Sequence, residues 1–174
     1  MELEQFMIDH ALAVAAHSPC RSKRGVALFD MRTGAFRGDG FNSPPRPYGC
    51  PGREICAGTC GQRSVHAEVR ALREASKFIA NGHPPGPYDL IHVELASDGS
   101  VVACDGPRCV PCAVHIIEAG FVGGVWLYER AGCSYCEVGG VPLDRQCPRG
   151  AGGWRRYTSD EFHRITLQRS GLKL

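Results

Sequence analysis

Ser64-Val65-His66-Ala67-Glu68-Val69-Arg70-Ala71-Leu72 and, further along, Pro107-Arg108-Cys109-Val110-Pro111-Cys112-Ala113 are the two stretches around which the rest of the chain arranges itself. Each opens a helix. Ser64 has the side chain of an N-cap, and Val65, Val69, Leu72 and Ala75 then fall along one side of a helix reaching about residue 80. A second helix begins near Cys109 and stops at Gly120, a glycine placed where a left-handed C-terminal residue is wanted. Between them Tyr88-Asp89-Leu90-Ile91-His92-Val93-Glu94-Leu95 reads as a strand, and residues 121–128 as another. Strands that alternate with helices pair in parallel and are covered by those helices.

Working outward, Leu3, Phe6, Met7, His10, Ala11 and Val14 repeat at helical spacing, and Ser18-Pro19 ends that helix. Residues 25–30 and 35–41 form a hairpin through Met31-Arg32-Thr33-Gly34. Thr158 with Glu161 makes a capping box for a last helix reaching about residue 169. Residues 42–62 and 129–153 lack periodicity and are rich in Gly and Cys. The expected architecture is one α/β domain over residues 1–174, a three-layer α/β/α sandwich. Its sheet is mixed, with helices on both faces. The core spans about residues 3–128, and a Cys-rich loop and terminal helix follow.

Composition narrows the classes of function. At 174 residues, 43% apolar and 22% charged, this is an ordinary globular composition long enough to bury a substantial core. A net charge of +2 is too mild a basic lean to imply nucleic acid by itself. No apolar run is long enough to span a membrane. The chain opens with Glu2 and Glu4 where a secretory signal would carry Lys or Arg, so a cytoplasmic protein is expected. The ten cysteines then point to metal or catalysis rather than to disulfides.

The two opening stretches supply the chemistry. Helix N-termini carry partial positive charge and favour thiolate over thiol. Cys109 and Cys112, three apart, face one point. With His66 they make a set of one imidazole and two thiolates with a fourth position left over, the pattern of a catalytic rather than a structural zinc site. Zinc lowers the pKa of a bound water to about 7. Glu68, two residues from a ligand, reaches that water without ligating and can serve as a proton shuttle.

His66-Ala67-Glu68 with the Cys-x-x-Cys pair is similar to the signature of zinc deaminases. Over about residues 3–128 the chain resembles the cytidine deaminase-like superfamily, most closely its deoxycytidylate (dCMP) deaminase branch. Ser18-Pro19-Cys20-Arg21-Ser22-Lys23-Arg24-Gly25 resembles that branch's Cys-containing lead into the first strand, and Gly40-Phe41-Asn42-Ser43-Pro44 its substrate loop. The resemblance implies the cytidine deaminase-like fold and hydrolytic deamination of a cytosine nucleotide or nucleoside, with dCMP to dUMP foremost. It also implies a catalytic zinc and a homo-oligomer. It places Asn42 on the substrate sugar, unless Asn42 is a turn residue only, and puts Ala67 at the substrate. At Tyr128 related enzymes place an aromatic beside the base; core packing reads equally well. It implies a second, structural zinc on Cys20, Cys50, Cys56 and Cys60, against which stand buried thiols or a disulfide.

Three features depart from the family. Pro107 is separated from Cys109 by Arg108, residues 96–108 are inserted after the third strand, and Arg70 stands where that branch carries Asn. Trp154-Arg155-Arg156-Tyr157 interleaves aromatic and basic residues. It is either a stacking patch for single-stranded nucleic acid or the packed lead-in to the terminal helix. It keeps open a cytosine deaminase acting on single-stranded DNA or RNA. A zinc-stabilised binding module without turnover is the third reading, and Glu68 argues against it. Arg46, Arg63 and Arg70 are candidates for a nucleotide phosphate. Cys133, Cys136 and Cys147 would form a third metal site with His163 or stand as loop thiols. Cys104 has no assigned role, and His83, His92 and His115 read as surface or core.

Overall fold

The computed structural model describes residues 3–44, 65–130 and 152–171. Helix α1 (Gln5–Ala16) leads into a hairpin of β1 (Lys23–Asp30) and β2 (Ala35–Phe41). Then come α2 (Ala67–Ala80), β3 (Tyr88–Leu95), α3 (Val110–Ala119), β4 (Val122–Arg130), β5 (Gly152–Thr158) and α4 (Ser159–Arg169). The strands form one sheet in the order β2-β1-β3-β4-β5. β3 and β4, joined through α3, are parallel, and the other pairings are antiparallel. This is the mixed three-layer arrangement expected from the sequence.

Two apolar clusters hold the layers. On one face Met7, Ala11 and Ala15 of α1 pack on Ala27, Phe29, Ile91, Val93 and Trp126. On the other, Ala67, Ala71 and Leu72 of α2, Ile116 of α3 and Phe162 of α4 pack on Val26, Leu28, Leu90, Val125 and Leu127. The alternation of side chains along each strand decides which residues reach which face. Gly40 lets α2 lie unusually close to β2: a Cβ there would come within 2.6 Å of the Ala67 carbonyl oxygen. That contact fixes the first turn of α2 against the sheet.

Two boundaries differ from expectation. The N-cap of α2 is His66, with extended backbone, and not Ser64, which lies outside the described residues. Residues 152–158 are a strand where the sequence reads as loop and lead-in. Gly152 and Gly153 look like turn residues, and the short polar edge strand is held by pairing with β4 rather than by its own hydrophobicity.

Residues 96–108 are a strap across the ends of β3 and β4. The Val102 amide donates to the Glu94 carbonyl and the Cys104 amide to that of Tyr128, each at 2.8 Å. Arg169 of α4 donates to the Pro107 carbonyl at 3.2 Å. The strap delivers Cys109 to the start of α3. Among the described residues no helix is long and apolar enough to cross a membrane.

Candidate active site

Three ligand-type side chains meet where α2 and α3 begin. His66 is the N-cap of α2 and Cys109 the N-cap of α3, with Pro111 in the first turn and Cys112 buried one turn in. Ligand atoms of His66, Cys109 and Cys112 all lie within 4.8 Å of one another. His66 turns Nδ1 to both sulfurs, 3.1 Å from Cys112 Sγ and 3.3 Å from Cys109 Sγ. Around a tetrahedral zinc the N···S separation is about 3.6 Å from its bond lengths. The two N···S distances are thus a few tenths of an ångström shorter than that, and the donor types fit the ion.

The electrostatics is that of groups competing for protons. The hydrogen bond from Cys112 holds the Cys109 thiol down at about 5 against its burial, with help from His66. Cys112 is pushed up by Cys109 beside it and by burial. His66 is raised, first by its hydrogen bond with Cys109. A cation placed among the three would displace those protons.

Glu68 is buried in the first turn of α2 and is outside the ligand cluster. Burial alone would push its carboxyl up; His92, the residue's own amide, His66 and Arg24 together hold it below the ordinary range. Nε2 of His92 lies 3.7 Å from Glu68 Oε1. Sequence reasoning left His92 without a partner. The signal was present: Tyr88, Leu90, His92 and Glu94 share one face of β3, and polarity begins where that strand approaches its carboxyl end, the end at which open α/β sheets bind ligands. Burial agrees, since His92 and Glu94 are the two positions of β3 that are not fully buried.

Asn42 sits at the edge of this region with its amide largely spent. Oδ1 accepts from the Arg24 amide and from Ser18 Oγ, both at 2.7 Å, and Nδ2 donates to the Ser22 carbonyl at 2.8 Å. One N–H remains for another acceptor. Glu94 accepts from Ser22 Oγ at 2.5 Å and from Arg24 Nε at 3.2 Å. Ala67 is the first residue of α2, buried against the sheet. Arg70 donates to Ser43 Oγ at 2.5 Å and lies over the Phe41 ring.

Two readings that the sequence left open are narrowed by the structure. Tyr128 packs against Trp154 on the α1 face of the sheet, because it alternates with Leu127, which faces α2–α4. That contact agrees with the core-packing reading of Tyr128. The Trp154-Arg155-Arg156-Tyr157 patch is committed within the fold. Trp154 packs on the α1 side, Arg156 pairs with buried Asp89, Tyr157 is buried, and Arg155 lies over the Tyr157 ring. Cys20 is described and is buried beside Ser18, whose hydroxyl accepts from its amide. Cys50, Cys56, Cys60, Arg46, Arg63, Cys133, Cys136 and Cys147 lie outside the described residues. His163 lies on α4.

The chain has the cytidine deaminase-like fold. The structure of a cytidine deaminase from Burkholderia pseudomallei superposes with a TM-score of 0.53 at 20% identity, over 92% of this chain and 96% of that one. The dCMP deaminase of cyanophage S-TIM5, solved with dCMP and dUMP, is a more distant likeness, with a TM-score of 0.45 at 18% identity over 71% and 82% of the two chains. No protein-family model matches the sequence, and no curated protein does.

Proposed function

We propose that this protein is a zinc-dependent hydrolytic deaminase of a free cytosine nucleotide or nucleoside, with conversion of dCMP to dUMP and ammonia as the first reading. The observation that carries it is the convergence of His66 Nδ1, Cys109 Sγ and Cys112 Sγ at two helix starts, with the Glu68 carboxyl buried beside them and outside the ligand set. A closed structural site has no use for that carboxyl.

His66, Cys109 and Cys112 would hold the ion, which supplies Lewis acidity and makes water nucleophilic at neutral pH. Glu68 takes the proton of the attacking water and delivers it to the pyrimidine ring nitrogen. It then carries the second proton to the exocyclic amine as the carbon–nitrogen bond breaks. Water adds and ammonia leaves, so the reaction needs no other reactant. Asn42 would offer its remaining amide N–H to the substrate sugar, and Ala67 would lie against the substrate at the start of α2. A second zinc on Cys20, Cys50, Cys56 and Cys60 belongs to the same reading and rests on the resemblance of the cysteine spacing.

The reading is tested by ammonia release from purified protein over a panel of cytidine, deoxycytidine, CMP, dCMP and cytosine-containing oligonucleotides at two salt concentrations. Turnover is expected on the free nucleotide or nucleoside with weak salt dependence. Binding to a polynucleotide releases many counterions and weakens steeply with salt. Deamination confined to oligonucleotides, with that steep dependence, would replace this reading with the single-stranded nucleic acid one.

A further inference from the structure

His92 occupies a position where the fold would accept an aliphatic side chain. Its neighbours across the sheet are Val26 on β1 and Leu127 on β4, both members of the apolar cluster under α2. Burying an imidazole among such residues costs free energy unless its polar edge finds a use. That edge faces α2: Nε2 is 3.7 Å from Glu68 Oε1, with the two side chains only 14% and 11% exposed. The other charged or titratable groups that act on His92 are Arg24 of β1, Glu94 on its own strand and Cys109 at the start of α3.

A proton shuttle that is not a metal ligand is not fixed by a bond to the ion. Glu68 has three side-chain torsions, and its carboxyl must reach the attacking water, the ring nitrogen and the departing amine in turn. From the geometry we infer that His92 is a positioning residue for Glu68, fixing its carboxyl against the sheet so that one oxygen is held and the other is directed to the reacting atoms. The inference rests on the deaminase reading above. At 3.7 Å the pair is beyond a direct hydrogen bond. A shift of about half an ångström in either side chain would bring the pair within hydrogen-bond distance.

The test uses the zinc-loaded enzyme and the free substrate that the panel identifies. His92→Phe fills the site without a donor; His92→Gln restores an N–H at similar reach. His92→Phe is expected to lower kcat about ten- to hundredfold, the loss that misplacing a catalytic group by about an ångström produces. KM, zinc content and Tm should stay close to wild type, and His92→Gln should recover at least several-fold over the Phe variant. In a Glu68→Gln background, adding His92→Phe should cause little further loss, because the histidine acts through the glutamate. If the Phe variant fails to fold, His92→Leu carries the same comparison with Gln.

Wild-type kcat in the Phe or Leu variant would overturn the inference while leaving the deaminase reading intact. So would a loss confined to KM, or a full additional loss on Glu68→Gln, which would make His92 a substrate contact. Absence of ammonia release from the wild-type enzyme would remove the deaminase reading itself, and this inference with it.

Discussion

The two faces of the sheet each bury a polar cluster, and the clusters have opposite characters. On the α1 face Asp89, 3% exposed in its side chain, accepts from Arg156 Nε at 2.6 Å, Arg156 Nη2 at 2.9 Å and Trp126 Nε1 at 2.8 Å. Gly124 makes room, since a Cβ there would meet the Arg156 guanidinium at 2.5 Å. Charge and donors are matched inside the protein, so the cluster is closed. On the α2 face His66, Cys109 and Cys112 compete for the same protons, and Glu68 is present without belonging to the set. That cluster is completed only by something added. A saturated buried network tells of folding; an unsaturated one tells of binding and chemistry.

The largest effects should fall on the open cluster and on activity. Glu68→Ala should reduce turnover by about a hundredfold or more, the usual worth of a general acid–base group, while zinc stays bound. Cys109→Ser should remove both turnover and the catalytic zinc. Metal analysis beside kinetics separates the two: about two zinc ions per chain in wild type and in Glu68→Ala, about one in Cys109→Ser. One zinc in wild type would remove the second site. Near-normal activity in Glu68→Ala would make the two polar clusters alike in kind and end the mechanistic contrast.

The closed cluster should respond the other way round. Arg156→Met leaves the Asp89 charge buried with the Trp126 indole as its one remaining hydrogen-bond partner among the described residues. A loss of about 3 kcal/mol is expected, the low end for breaking a buried pair, because that hydrogen bond remains. In a chain of this size it corresponds to a fall in Tm of about 6–12 °C. Zinc content and KM should not change. A loss of zinc or of kcat at constant stability would show that the α1 face communicates with the site, and the comparison would fail.

Much of this was legible in the sequence, and the exceptions have physical causes. The metal triad could be read because its spacing is local: each half lies at one helix start, and two helices flanking a parallel strand bring the halves together. β3 and the Thr158–Glu161 cap were likewise written in residues close in sequence. The strand β5 was not, since Gly152-Gly153-Trp154-Arg155 acquires its conformation from pairing with β4. His92 was missed because a lone histidine carries no motif, and Glu68 finds it only across the layer between helix and sheet. Tyr128 could be read two ways because a single step of strand alternation moves a side chain to the opposite face.

The smallest effect concerns the helix starts themselves and sharpens the same contrast. α2 and α3 begin with His66 and Cys109, ligand-type residues; α2 has no side-chain cap bond, and α3 is capped by a sulfur that accepts from the Cys112 amide. α4, on the same face, is sealed by a capping box: the Thr158 hydroxyl accepts from the Glu161 amide at 3.2 Å, and the Glu161 carboxylate accepts from the Thr158 amide at 2.8 Å. Thr158→Ala should therefore cost about 1 kcal/mol, as for other N-caps, with activity and zinc unchanged. The Thr158 amide, then its hydroxyl, hold the Glu161 carboxyl below its ordinary value of 4.5. A depressed folded pKa means that this share of stability is fully present above the unfolded value and is lost as pH falls through the folded one. The urea midpoints of wild type and Glu161→Ala should thus differ more at pH 7 than at a pH below that folded value. A gap that stays constant or widens on acidification would mean that the charge on Glu161 adds nothing to the cap. The sealed helix would then differ from the two open ones in hydrogen bonding alone.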